Sequence, residues 1–202
     1  MHTDQNGVSL ILASASPRRK ELLAQLGVRY TVAPADIDES VLAGEDPWAY
    51  VNRMAEEKAR AGFAAAAPGH ECVVIGADTT VVLGEKILGK PADQQDARAM
   101  LEMLSGQTHH VLSCVALTDG QRSASRLSDT EVSFRALLPG ESTAYWQSGE
   151  PIDKAGAYAI QGLGALFVKG IQGSYTGVVG LPLYETAELL TLFGIELGLE
   201  PA

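Results

Sequence analysis

Short apolar runs of strand length alternate with segments of helical spacing through most of the chain. Val8–Ala13 is one such run, and the leucines of Arg18–Leu26 then recur on one face of a helix. Pro17 suits the first turn of that helix, and Gly27 suits its C-terminal cap. We therefore predict a strand, a helix, and a second strand over Val28–Ala33.

A longer helix and a buried strand follow. Asp46 and Pro47 form an N-cap and a first helical position, and the helix is predicted to run to about Ala67, before Pro68. Glu71–Ala77 is almost wholly apolar. That pattern is typical of a strand buried on both faces.

The remaining elements are predicted from the same two periodicities and from turn residues between them. They are a hairpin of Val81–Leu83 and Lys86–Leu88, a helix from Asp93 through Leu104, antiparallel strands Val111–Thr118 and Thr130–Leu137, a short helix Glu141–Gln147, a strand Ala165–Ile171 and a closing helix Pro182–Phe193.

This order of elements predicts the fold class. Parallel-type strand–helix units precede an antiparallel section, which favours an α/β fold with a mixed sheet and flanking helices. The sequence contains no internal repeat, low-complexity linker or break in composition. We therefore expect one domain over residues 1–202, with two lobes.

Composition narrows the possible functions. Of the 202 residues, 46% are hydrophobic and 20% are charged, which is typical of a globular chain. The formal net charge of −10 argues against binding to long nucleic acids, whose binding domains are usually basic.

Neither the N-terminus nor the cysteines indicate export. Residues 1–7 lack the features of a signal peptide, and no apolar stretch approaches the length of a membrane span. Cys72 and Cys114 lie in apolar runs, so we interpret them as buried strand residues of a reduced protein. We expect a cytoplasmic protein without a membrane segment.

A serine-rich loop before the first helix is a candidate anion site. Ser14 and Ser16 supply hydroxyl groups, and the helix that follows presents free backbone N–H groups to the loop. Arg18 and Arg19 stand in the first helical turn, where their charge opposes the helix dipole, so an anion would compensate them. The alternative is a serine N-cap with basic residues on a solvated face.

Asp78 follows the predicted strand Glu71–Ala77, which would place its carboxylate where a buried sheet meets a loop. Ligands of α/β folds bind at such strand ends. Asp78 could hold a divalent cation, activate water, or do both. The alternative is an Asx-type turn.

Two lysines could complete an anion site. Lys58 follows two glutamates, so a solvated helix face is its alternative interpretation. Lys90 is held between Gly89 and Pro91, a tight local setting that favours a functional role.

Other residues with metal-binding side chains are less informative. Asp36, Asp38 and Glu39 share one loop and could coordinate Mg²⁺, although surface loops are commonly acidic. His109 and His110 are adjacent, so on a strand they point to opposite faces and cannot share a metal. We interpret both histidines as structural.

Taken together, these segments resemble the Maf family of nucleoside triphosphate pyrophosphatases, in the family's order and over nearly the whole chain. The most specific pieces read Ser-Ala-Ser-Pro-Arg-Arg, Gly-Ala-Asp-Thr and Gly-Ser-Tyr-Thr-Gly-Val-Val-Gly-Leu-Pro-Leu. The segments that carry the resemblance are Leu10–Gly27, Glu56–Ala61, Gly76–Thr80, Gly89–Pro91, Leu104–His109 and Ala155–Leu183.

The resemblance implies hydrolysis of a nucleoside triphosphate to the monophosphate and pyrophosphate, with Mg²⁺ or Mn²⁺ as the cation. It also implies a cleft between two lobes of a mixed sheet, similar to inosine triphosphatases, and a homodimer. Asp78 matches the family's proton acceptor and a metal ligand. The other matching positions handle phosphate or metal: Arg18, Lys58, Lys90 and Glu39, with Ser14, Ser16 and Arg19 expected on the triphosphate.

Substrate choice divides the family into a dTTP/UTP subgroup and a 7-methyl-GTP subgroup. Tyr158–Gly162 and Gly173–Tyr175 resemble the pyrimidine subgroup, in which the positions of Arg18, Thr79 and Gln161 tune base choice. An amide such as that of Gln161 donates and accepts hydrogen bonds, as the edge of uracil or thymine requires. The alternatives are 7-methyl-GTP hydrolysis, or a nucleotide-binding regulator of cell division or septum formation with little turnover.

Overall fold

A mixed sheet forms the centre of the molecule in the computed structural model, which describes residues 8–66 and 71–198. Its strands are β1 (Ser9–Leu12), β2 (Thr31–Val32), β3 (Cys72–Leu83), β4 (Lys86–Leu88), β5 (Thr108–Thr118), β6 (Ser123–Phe134) and β7 (Val168–Gln172). The helices are α1 (Pro17–Ala24), α2 (Pro47–Ala64), α3 (Gln94–Leu104), α4 (Glu141–Gln147), α5 (Tyr175–Val179) and α6 (Leu183–Leu192), with 3₁₀ turns at Ala155–Ala157 and Leu163–Phe167.

The sheet has an opening beside β3, where one edge of this central strand lacks a described neighbouring strand. The strand order is β2-β1-β3-β5-β6-β7, with β1 parallel to β2 and β3 and the other pairs antiparallel. On one edge of β3, β1 pairs with residues 72–75 and β4 with residues 81–83. Among the described strands, residues 76–80 therefore have a partner only in β5, and the mixed α/β sheet that we predicted is confirmed.

Two hydrophobic cores lie on opposite sides of this opening. The first joins β1, α1 and α6 through buried side chains such as Leu12, Leu23 and Leu189. The second joins β4, α3 and α4, with Leu88 and Leu101 at its centre. Each fully buried leucine contributes about 2 kcal/mol through loss of apolar surface from water. The opening in the sheet is thus flanked by two separate hydrophobic cores.

Helix α2 lies across β3 and β5 and reaches the opening. Its first turn is capped as predicted, because the Asp46 carboxylate accepts hydrogen bonds from the N–H groups of Trp48 and Ala49. A Cβ atom at Gly76 would lie 2.2 Å from the carbonyl oxygen of Ala55, so only glycine allows the helix to approach so closely. The helix ends at Ala64 rather than near position 67, which lies outside the described residues.

The predicted hairpin is confirmed by the pairing of β3 with β4, but the end predicted for the preceding strand is wrong. Strand β3 does not stop at Ala77, because the β-branched residues of its second half extend it to Leu83. Asp78 consequently lies in mid-strand, not where a strand meets a loop. The interruption comes from the neighbouring strands instead.

Other boundaries also differ. Strand β6 begins at Ser123, where the tight turn after β5 fixes its register, although Ser123–Ser128 has little apolar signal. The predicted strand Ala165–Ile171 begins as a 3₁₀ turn and becomes β7 only at Val168. Helix α5 was not predicted, since its sequence is rich in glycine.

Both cysteines are buried and free, as predicted. No helix in the described part of the chain has the length and apolar character needed to cross a membrane.

Candidate active site

A cleft of about 810 Å³ occupies the opening beside β3. The end of β1, the middle of β3, the loop after β4 and the segment before β7 all contribute to its wall. Ten residues that we expected to act in catalysis, in phosphate or metal binding, or in base selection line this one cleft: Ser14, Ser16, Arg18, Arg19, Glu39, Lys58, Asp78, Thr79, Lys90 and Gln161.

A buried lysine joins two carboxylates at the floor of the cleft. The Lys58 Nζ atom lies 2.7 Å from Oδ1 of Asp78 and 2.6 Å from Oε1 of Glu39. Lys58 and Asp78 are both buried, whereas Glu39 lies at the surface of the cleft. The solvated helix face considered for Lys58 and the Asx turn considered for Asp78 are therefore both wrong.

The charge on Glu39 is stabilised by this arrangement. Partial burial opposes ionisation, but the hydrogen bond from Lys58 and the charges of Lys58, Lys90 and Arg19 outweigh it and hold the pKa of Glu39 below its usual range. Tyr50, which the sequence did not single out, donates from its hydroxyl to the backbone oxygen of Glu39 at 3.0 Å. Burial and the charges of Asp78, Glu39 and Glu45 raise the pKa of Tyr50 to about 12, so it remains a donor.

Of the three acids in the loop, only Glu39 lines the cleft. Asp38 instead accepts hydrogen bonds from the backbone and hydroxyl of Ser40 at 2.9 and 2.7 Å. Within residues 8–66 and 71–198, no group of three or more His, Cys, Asp or Glu side chains could hold a metal.

The two carboxylates nevertheless suit a divalent cation. Asp78 and Glu39 reach the same ammonium group, so their oxygens converge on one point. Mg²⁺ is usually bound through one or two carboxylates together with water and substrate phosphates. The donor set therefore fits a cation that arrives with a phosphorylated ligand.

The N-terminus of α1 has the properties predicted for an anion site. Ser16 occupies the N-cap position without a side-chain cap, and no acidic residue lies in the first turn. Ser14 turns back on the loop, where its Oγ accepts from the N–H of Ser16 at 3.3 Å and from Arg19 at 3.3 Å. The simple serine N-cap is thus wrong, and the helix dipole faces the cleft with basic residues beside it.

Arg19 is fixed by neutral groups rather than by a carboxylate. Its Nε donates to the carbonyl oxygen of Gly180 at 2.9 Å, and an Nη atom lies 3.5 Å from Oγ1 of Thr79. Burial lowers the pKa of Arg19 from its ordinary value, Arg18 adds to this effect, and the charges of Asp78 and Glu39 oppose it. This cation is oriented towards the cleft before any anion binds.

The glycine-rich segment before α6 provides these anchors. The Thr79 hydroxyl lies 2.9 Å from Oγ of Ser113 and 3.3 Å from the oxygen of Gly180. Ser113 in turn donates to the oxygen of Gly177 at 2.6 Å. Helix α5 is therefore tied to the sheet directly behind the cleft, which gives this glycine-rich stretch a structural role.

Three further cations line the cleft and have no ion pair within 4 Å among the described residues: Arg18, Lys90 and Lys154. Asp153 lines the same cleft, and its charge opposes the lowering of the pKa of Arg18 and of Lys154 by burial. Lys154 was missed in the sequence, where only its place just before Ala155–Leu183 marks it. The N–H of Gly156 donates to the oxygen of Gly89 at 3.1 Å, which joins the loops of Lys154 and Lys90. Burial, followed by the charge of Arg18, lowers the pKa of Lys154.

Gln161 lies exposed on the wall of the cleft beside Tyr158 and Ile160. Its amide makes no hydrogen bond to another residue of the described chain, so it is available to a ligand. The histidines behave as predicted: His109 is buried against the Tyr158 hydroxyl at 2.9 Å, and His110 bonds Asp129 on the other face of the strand.

The fold and the cleft define a class of protein. An α/β sheet opened at its central strand, with a cleft lined by more cations than carboxylates, is suited to binding a polyphosphate together with a metal ion. The sequence model of the Maf-like protein family matches residues 9–193, so the chain belongs to the Maf family.

Curated relatives are similar over almost their full length. A protein of Pseudoalteromonas atlantica is 54% identical over 183 residues, which cover 90% of this chain and 95% of the relative. A protein of Hahella chejuensis is 53% identical over 188 residues (93% and 94%), and one of Myxococcus xanthus is 54% identical over 197 residues (98% and 97%). Each of these relatives is named dTTP/UTP pyrophosphatase.

Proposed function

We propose that this protein is a nucleoside triphosphate pyrophosphatase that hydrolyses dTTP and UTP to the monophosphate and pyrophosphate. Membership of the Maf family and the names of its relatives support this activity. The observation that carries it is the Asp78 carboxylate, which Lys58 holds at 2.7 Å on the floor of a cleft lined with unpaired cations. A general base, Asp78, and the cations that could stabilise negative charge thus line the same cleft.

The proposed chemistry is attack of water on the α-phosphorus. Asp78 accepts a proton from the water as the new P–O bond forms, and the bond to the β-phosphate oxygen breaks so that pyrophosphate leaves. Lys58, Lys90 and Arg18 offset the negative charge that develops on the phosphate and leaving-group oxygens. Ser14, Ser16 and Arg19, with the free N–H groups of α1, hold the triphosphate.

Asp78 and Glu39 are the residues that would hold Mg²⁺ or Mn²⁺, and the bound cation would add positive charge beside the phosphates. Lys58 contacts both carboxylates, so its positive charge offsets their mutual repulsion.

Base selection is assigned to Arg18, Thr79 and Gln161. The free amide of Gln161 can accept from N3–H of uracil or thymine and donate to O4. Thr79 already bonds Ser113 and Gly180, so its contribution is to hold Arg19 and to shape the wall.

The substitution Asp78→Asn tests the mechanism directly. It preserves the shape of the side chain but removes the proton acceptor, so the rate of pyrophosphate release from dTTP and UTP should fall at least about 100-fold. Asp129→Asn, outside the cleft, is the matched control and should retain activity. Hydrolysis by Asp78→Asn at the wild-type rate would contradict the proposed mechanism.

We further infer a two-lobed single domain that acts in the cytoplasm as a homodimer, on small nucleotides rather than nucleic-acid polymers. The net charge of −10 disfavours a polyanionic polymer, while the unpaired cations of the cleft suit a single triphosphate. Two free thiols fit a reducing compartment. Light scattering in solution tests the homodimer, which a monomeric mass would contradict.

A further inference from the structure

The segment that carries Gln161 has little regular structure of its own. Residues 159–162 form a turn between two 3₁₀ turns, and the N–H of Gly162 donates to the oxygen of Ala159 at 3.3 Å. Gln161 has no hydrogen bond to a described neighbour that would place its amide. Its position in the cleft therefore depends on what holds the backbone on either side.

One carboxylate holds the C-terminal side of this segment. The Glu150 side chain accepts hydrogen bonds from the N–H of Leu163 at 2.8 Å and of Gly164 at 2.9 Å. A Cβ atom at Gly162 would lie 2.2 Å from Oε2 of Glu150, so a side chain at that position would displace the carboxylate. Glycine at position 162 therefore allows the Glu150 carboxylate to reach the backbone N–H groups of Leu163 and Gly164.

The N-terminal side is held by the same network. The Tyr145 hydroxyl donates to Oε1 of Glu150 at 2.6 Å and accepts from the N–H of Ala159 at 3.1 Å. Tyr145 lies on α4, is buried, and packs edge-on against Phe167 with ring centroids 5.0 Å apart. The two anchor points of the segment are thus tied through Tyr145 to the second hydrophobic core.

Both side chains keep the protonation state that these bonds require. Burial opposes ionisation of Glu150, but the Tyr145 hydroxyl, the two backbone N–H groups and the charge of Lys154 lower its pKa. Burial and the bond to Glu150 raise the pKa of Tyr145. The pair therefore remains a carboxylate and a hydroxyl donor at neutral pH.

We propose that Glu150 and Tyr145 are positioning residues for base selection, which act by fixing the backbone on both sides of Gln161. The inference rests on the proposed function, in which Gln161 reads the pyrimidine edge. Cytosine presents a donor where thymine and uracil present an acceptor, so discrimination requires the amide to occupy one place. A loosened segment lets the amide meet either pattern.

The test measures kcat and KM for UTP and CTP in wild type, Gln161→Ala, Tyr145→Phe, Glu150→Gln and the double variant Tyr145→Phe/Gln161→Ala. Tyr145→Phe removes one oxygen atom and keeps the ring. It should lower the UTP/CTP ratio of kcat/KM by about tenfold, which corresponds to roughly 1.4 kcal/mol, mainly through KM for UTP. The double variant should discriminate no less than Gln161→Ala alone, since both changes act through one group.

Tyr184→Phe, at an exposed position outside the cleft, is the matched control and should leave the ratio unchanged. A purely structural role predicts a smaller active fraction, which lowers kcat for both nucleotides equally and does not change the ratio. If Gln161→Ala loses discrimination while Tyr145→Phe and Glu150→Gln keep it, the inference is wrong and the proposed function stands. If Gln161→Ala keeps full discrimination, the base-reading role assigned to Gln161 fails, and this inference with it.

Discussion

Replacing Lys58 by methionine should both abolish activity and destabilise the fold. The substitution keeps most of the apolar length of the side chain but removes the ammonium that Asp78 and Glu39 share at 2.7 and 2.6 Å. It therefore leaves two carboxylates facing each other, one of them buried, without their common cation.

The structure sets the size of the effect. Breaking a buried ion pair on one side costs about 3–5 kcal/mol, and the exposed side of Glu39 brings the expectation to the lower end, about 3 kcal/mol. For a chain of this size, 1 kcal/mol changes Tm by about 2–4 °C, so Tm should fall by roughly 6–12 °C at pH 7. Arg60→Met, on the same helix with an exposed ion pair to Glu56, should cost at most about 0.5 kcal/mol.

The stability lost in Lys58→Met should depend on pH. In the wild type the folded-state pKa of Glu39 is depressed, so its contribution is present above the unfolded pKa and is lost as the pH falls through the folded pKa. The variant lacks this contribution. The difference in the free energy of unfolding between wild type and Lys58→Met should thus be largest near neutral pH and should shrink in acid.

The assay is urea unfolding of wild type, Lys58→Met and Arg60→Met at neutral and acidic pH, followed by circular dichroism. Equal stability of Lys58→Met and Arg60→Met at neutral pH would refute the reasoning. So would a difference that grows as the carboxylates are protonated.

Three further predictions concern packing, phosphate binding and the metal. Gly76→Ala should lower the free energy of unfolding by about 2–3 kcal/mol, because the new Cβ atom would clash with the backbone of α2. Gly170→Ala is the control and should cost much less, since its Cβ atom would have open space; equal costs would contradict this packing. Lys154→Met should raise KM for UTP by about tenfold through loss of a charged hydrogen bond, with exposed Lys169→Met as the control, and an unchanged KM would exclude Lys154 from phosphate binding. EDTA should stop pyrophosphate release and Mg²⁺ or Mn²⁺ should restore it; full activity in EDTA would contradict a cation at Asp78 and Glu39.

Local sequence signals predicted the fold well where they are strong. Caps such as Asp46 and Asp93 accept hydrogen bonds from the first turns of their helices, and the predicted hairpin of β3 and β4 forms. The boundaries failed where tertiary contacts decide. Strand β6 continues through a polar stretch because β5 pairs along its whole length, and no local pattern encodes that partner.

The site divides in the same way. The sequence motifs identified ten residues that all line one cleft. The burial of Lys58, in contrast, could not be predicted from the two glutamates that precede it. It follows from Gly76, eighteen residues after Lys58, because a glycine at that position lets α2 pack closely against the sheet. Lys154 and Glu150 were missed because the contacts that place them near the cleft are made by loops to residues outside their own local sequence.

The most direct test of the central claim is product analysis with purified wild-type protein and a panel of dTTP, UTP, CTP and 7-methyl-GTP, in the presence of Mg²⁺. We predict that dTTP and UTP are converted fastest, to dTMP or UMP and one equivalent of pyrophosphate. Release of inorganic phosphate with a nucleoside diphosphate would contradict attack at the α-phosphorus. Preference for 7-methyl-GTP would contradict the assigned substrate, and binding without turnover would contradict an enzyme.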